Sequence, residues 1–166
     1  GHYSTSGADH CPSCPGGKYA GTGRSDCLEC SEGYFSNGTA SVCTQCVFPA
    51  YATENSDSCN LCKAGYFYSP RKAKKDRTDG CIKCAKAFDD SAVECDEGGI
   101  SLDNLVVEPG WYRFDTESER AYACEYPQLC LGGNVTGQTL CDPTSYGPMC
   151  TFCIKSYYKD ATTLMC

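Results

Sequence analysis

The stretch CPSCPGGKYAGTGRSDCLECSEGYFSNGTASVCTQC, residues 11–46, contains three C-x-x-C pairs spaced 16 residues apart, and a fourth follows at Cys59 and Cys62. Within each period an aromatic comes four or five places after the second cysteine: Tyr19, then Tyr34 with Phe35, Tyr51, and Tyr66 with Phe67. Gly17, Gly33 and Gly65 stand just before these aromatics, with Ala50 at that point in the third copy, and polar turn residues such as Asn37-Gly38-Thr39 fill the rest. Each unit therefore reads as a strand, a turn and a short return strand, with one aromatic covering a crosslink.

A 16-residue unit cannot bury enough apolar surface to fold alone. Stacking on its neighbours and covalent closure must make up the difference. In the chain-entropy model, a disulfide closing a loop of about 14 residues contributes roughly 3 kcal/mol. The expected fold is small and disulfide-rich: short β-hairpins and loops in elongated tandem modules, with a small β-hairpin core in the middle.

The composition agrees. Seventeen cysteines in 166 residues would stay reduced in the cytosol, so the chain should mature in the secretory pathway and act outside the cell or at its surface. No leader is visible ahead of Gly1, which implies that it has been removed or that the sequence is a fragment. No apolar run approaches the ~18 residues that span a bilayer, so no membrane insertion is expected within this chain. A net charge of −7 argues against nucleic acid as a partner.

Four segments follow from the cysteine pattern: a polar tail over 1–10, tandem repeats over 11–84, a linker over 85–123 and a second cysteine-rich module over 124–166. In the linker, Leu102, Leu105, Val106 and Val107, then Glu108-Pro109-Gly110, then Trp111, Tyr112 and Phe114 read as one β-hairpin. The repeat returns in the last module as Cys150, Cys153, Tyr157, Tyr158 and Cys166.

Residues 11–84 resemble the cysteine-rich repeats of the ephrin-receptor-like family and, more loosely, the modules of tumour necrosis factor receptors. Cys124, Cys130, Gly132-Gly133, Cys141, Tyr146-Gly147, Cys150 and Cys153 resemble a laminin-type EGF-like module. The combination is similar to segments of large protist surface proteins. Such repeats imply an extracellular module and leave its task open.

Two pairings fit the spacing. A neighbour rule bonds the second cysteine of each pair to the first of the next: Cys14 to Cys27, Cys30 to Cys43, Cys46 to Cys59, Cys62 to Cys81, Cys84 to Cys95, Cys124 to Cys130, Cys141 to Cys150 and Cys153 to Cys166. It leaves Cys11 over, as a candidate for bonding another chain. The competing ladder joins Cys11 to Cys27 and Cys14 to Cys30, but strands Cys153. The neighbour rule is preferred.

Other constellations are weighed against plain readings. Paired C-x-x-C motifs also suit zinc, but the pairs run on as a series and the two histidines, His2 and His10, lie in the tail. No metal or other cofactor is expected. Asp89, Asp90, Glu94, Asp96 and Glu97 read as a solvated acidic linker, since no calcium-loop spacing is present. The insertion carrying Arg71, Lys72, Lys74, Lys75 and Arg77 reads as an exposed basic loop, with an anionic glycan or a neighbouring subunit as the sharper alternative. Asn37 and Asn134 head glycosylation sequons. No nucleophile, phosphate loop or metal triad is present, so the chain is expected not to be an enzyme.

The function these features favour is a structural one: a subunit or repeating segment of an extracellular fibre, filament or matrix, partnering copies of itself head to tail. The tail should fray alone, which suggests that a neighbouring subunit holds it. The rival is a ligand-binding or spacer ectodomain of a receptor or adhesion protein.

Overall fold

The computed structural model describes residues 1–76, 80–89, 91–162 and 165–166. Its regular elements are short strands paired two by two. β1 (Lys18–Tyr19) pairs with β2 (Leu28–Glu29), β3 (Tyr34–Phe35) with β4 (Thr44–Gln45), and β5 (Ala50–Tyr51) with β6 (Leu61–Cys62). β7 (Tyr66–Tyr68) pairs with β8 (Cys81–Lys83), β9 (Val93–Glu94) with β10 (Val106–Val107), β11 (Trp111–Tyr112) with β12 (Tyr122–Ala123), and β13 (Ser145–Tyr146) with β14 (Phe152–Cys153). Among the described residues, two short helices, α1 (Pro70–Asp76) and α2 (Cys84–Ala87), complete the set with three single 3-10 turns. The fold is thus a small disulfide-rich array of hairpins and loops.

Eight disulfides hold it: Cys14–Cys27, Cys30–Cys43, Cys46–Cys59, Cys62–Cys81, Cys84–Cys95, Cys124–Cys130, Cys141–Cys150 and Cys153–Cys166. Each closes a loop between sequence neighbours, and Cys11 is left as an exposed free thiol.

The chain divides into two compact units, one of residues 1–63 with 70–81 and the other of 64–69 with 82–166. In the first, the buried apolar residues are Cys14, Ala20, Cys30, Ala50, Ala52 and Cys62. An interior of alanine and sulfur withdraws little apolar area from water, so crosslinks and main-chain hydrogen bonds carry the fold there. The second unit has two larger clusters. Phe67, Phe88, Ala92, Val93, Leu102 and Leu105 gather around Cys84–Cys95. Val107, Tyr112, Leu129 and Leu140 gather around Cys124–Cys130 and Cys141–Cys150.

Two expectations need correction. The strands flanking Glu108-Pro109-Gly110 do not form a hairpin with each other: Val107 sits opposite Val93, and Trp111 sits opposite Ala123. Gly110, at φ 89°, turns the chain from one hairpin into the next, as Gly33 does at φ 82°. The basic insertion is not a loop over its whole length, because Pro70–Asp76 is helical. Proline suits a first helical turn, where its missing N–H goes unused. Arg77 and Asp90 lie outside the described residues.

Candidate interaction surface

The repeats join through one set of main-chain bonds. In the first unit the Gly17 N–H donates to the Ser36 carbonyl at 2.7 Å, and the Ala20 N–H to Ala40 at 3.1 Å. The Thr39 N–H returns to the Cys14 carbonyl at 3.0 Å. One repeat further on, Gly33 donates to Ala52 at 2.8 Å, Ser36 to Ser56 at 3.2 Å, and Asn55 to Cys30 at 3.0 Å. Backbone groups make the contact, so the side chains are free to vary while the stacking stays the same.

Pro49 breaks the series, since it has no N–H to donate. Its carbonyl instead accepts from Lys63 at 2.9 Å, and the register shifts by one: Ala50 faces Cys62, whereas Lys18 faces Glu29.

Residues 1–10 are not a loose tail. Cys14 N–H donates to the Gly1 carbonyl at 3.0 Å, the bond that Cys30 makes to Gly17 at 2.9 Å. His2 bridges to Ser13, Tyr3 N–H donates to Pro12 at 3.1 Å, and Ser4 N–H donates to Arg24 at 3.2 Å. Gly1-His2-Tyr3 therefore opens a repeat in phase with Gly17-Lys18-Tyr19, and its own chain holds it. That removes the need for a neighbouring subunit as clamp. The signal was legible in the sequence, because Gly1 lies 16 residues ahead of Gly17.

The second unit ends on the same motif. Ile154 N–H donates to Thr144 at 3.0 Å, matching Lys63 to Pro49, and Ser145 faces Cys153 as Ala50 faces Cys62. Three residues after Cys153, Ser156 takes a left-handed φ of 79°, where Gly17 has 81°. Tyr157 and Tyr158 then fall where Lys18 and Tyr19 stand, but among the described residues they have no partner strand. Tyr158 is 81% exposed, and Tyr146, Phe152 and Tyr157 are about half exposed. Nearby, the Lys159 ammonium lies 3.2 Å over the Tyr126 ring, a cation–π contact that pins this segment.

The remaining candidates are scattered. Arg71 and Lys74 are exposed on α1 and Lys72 is half-buried, while the Lys75 side chain lies outside what is described. Among the described residues, no group of three His, Cys, Asp or Glu side chains could hold a metal ion. Asn37 and Asn134 are both exposed. Among the described residues, no helix is long and apolar enough to cross a membrane.

Sequence reasoning missed Arg113, which is 1% exposed. Its Nε donates to the Ser118 carbonyl at 2.9 Å and its Nη2 to that of Thr116, so the 115–118 loop is wrapped around it. Burial pulls its pKa down, with Asp115 and Asp103 opposing. No family model, curated protein or solved structure matches the chain.

Proposed function

We propose that this chain is a non-enzymatic structural segment of an extracellular fibre, filament or matrix that assembles head to tail with copies of itself. Eight disulfides point to an oxidising, extracellular or secretory setting. The observation that carries the reading is the main-chain stacking scheme. Ser156 N–H and Gly7 N–H occupy places that bond a neighbouring repeat elsewhere, yet neither has a partner among the described residues. In a second copy, the Ser4 carbonyl and Gly7 N–H would meet Ser156 and Cys153 as Ser36 and Thr39 meet Gly17 and Cys14. Ser156 carries a Cβ, so the copy's next repeat must stand off, as it does at Gly33, where nothing approaches within 4 Å. A heterologous contact of this kind propagates into a filament when its rotation does not close.

The proposed resemblance to ephrin-receptor-like repeats and to a laminin-type EGF-like module supports an extracellular scaffold. Cys11, exposed and unpaired, is the thiol that would lock copies covalently. A second reading, a ligand-binding or spacer ectodomain of a surface protein, is favoured by the exposed aromatics and by the basic residues of α1, which suit anionic glycans.

Electron microscopy of the purified oxidised chain over rising concentration separates the two. Fibres or strings of end-joined particles are expected, and they should weaken on Tyr158→Asp. Single particles at every concentration would sink the structural reading in favour of the ectodomain.

A further inference from the structure

We propose that Asn134 is the site of an N-linked oligosaccharide in the folded protein, and that Asn37 is closed to modification once its repeat has formed. The two sequons look alike in sequence but differ in three dimensions. Gly133 exchanges both main-chain bonds with Val107, at 2.7 and 3.0 Å, and Gly137 N–H donates to the Arg113 carbonyl at 2.7 Å. Between these anchors, Asn134, Val135 and Thr136 donate no main-chain hydrogen bond among the described residues. Asn134 and Val135 are exposed, and Thr136 is extended at φ −141° and ψ 162°. Two exposed residues and the half-buried Thr136, slung between two tethered glycines, can be gripped by an enzyme without breaking the fold.

Asn37 sits in the opposite setting. Gly38 and Thr39 are both left-handed, at φ 87° and 55°. Thr39 N–H is bonded to Cys14 at 3.0 Å, and the adjoining Ala40 carbonyl accepts from Ala20 at 3.1 Å. The turn also lies inside the Cys30–Cys43 loop. Drawing it out into an extended acceptor would break these stacking bonds.

The donor is a lipid-linked oligosaccharide diphosphate of the secretory pathway. Asn134 Nδ2 forms the new bond to the anomeric carbon, the bond from that carbon to the phosphate oxygen breaks, and the amide gives up one proton. The lipid diphosphate departs with the electron pair. The inference depends on the secretory setting and not on self-assembly, so the two can fail separately.

The test is expression through a eukaryotic secretory pathway, followed by peptide mapping after enzymatic release of the glycan, which converts a modified Asn to Asp. Asn134 is expected to be converted. Asn134→Gln and Thr136→Ala should each abolish the modification, and Thr136→Ser should keep it. A count of one titratable thiol per chain certifies that each variant is folded. Opening the loop with Cys30→Ser and Cys43→Ser together should raise occupancy at Asn37. A correctly oxidised, secreted chain with bare Asn134, or one glycosylated at Asn37 in preference, overturns the proposal.

Discussion

The Cys124 N–H donates to the Gly110 carbonyl at 2.9 Å, the same bond that Cys30 makes to Gly17 and Cys46 to Gly33. Gly110 in turn donates to Cys130 at 2.8 Å, as Gly65 does to Cys95 at 2.7 Å. The segment between the cysteine-rich arms is therefore further copies of the same unit. Val107, fully buried three residues before Gly110, holds the place that Cys14, Cys30 and Cys62 hold before their glycines. Ala121, three residues before Cys124, holds the place of Cys27.

Restoring the pair tests this equivalence. Val107→Cys with Ala121→Cys should close a ninth disulfide, seen as a further loss of two hydrogens in the intact mass. The double variant should gain about 2–4 kcal/mol against denaturant. Two free thiols beyond Cys11 in a folded double variant would show that the equivalence fails.

Gly17 and Gly33 both have left-handed φ, but only Gly17 is closely approached by another backbone. A Cβ at Gly17 would lie 2.1 Å from the Asn55 carbonyl oxygen, while nothing lies within 4 Å at Gly33. Gly33→Ala should cost about 1–2 kcal/mol, the left-handed penalty alone. Gly17→Ala should cost clearly more, because the backbone of the repeat after next must move. Urea unfolding of the two oxidised variants checks the order.

Glu29 ties its own hairpin to the repeat after next. The Asn55 side chain and then Lys18, whose Nζ lies 3.1 Å away, hold its carboxyl below the ordinary carboxylate pKa. A depressed folded pKa contributes stability above the unfolded value, and that contribution is lost as pH falls through the folded one. Asn55→Ala should let the Glu29 titration rise toward ordinary values in carboxyl NMR, by more than Lys18→Ala does. An unchanged titration would show that Asn55 does not reach it. Because Glu29 is exposed, the effect on folding should be small.

Arg113 should tolerate no substitute. Arg113→Met leaves the Thr116 and Ser118 carbonyls without their donors, at a cost of about 2–3 kcal/mol. Lysine carries a point charge rather than a planar fork, so Arg113→Lys should recover only part of that. Melting temperatures of the oxidised variants should rank wild type, Lys, Met.

The sequence alone determined the class of this protein. Cysteine density and a 16-residue period require covalent closure, because so short a unit has no interior of its own. Sequence spacing also favoured joining neighbours, and the bonds at Cys14–Cys27 and Cys153–Cys166 follow that order. The tertiary structure decided what cysteine counting could not. It recruited Val107-Glu108-Pro109-Gly110 as a repeat, since hydrogen bonds between backbones carry no residue signature. It also buried Arg113 and separated the tethered Asn37 turn from Asn134, because burial and main-chain tethering depend on contacts with residues distant along the chain.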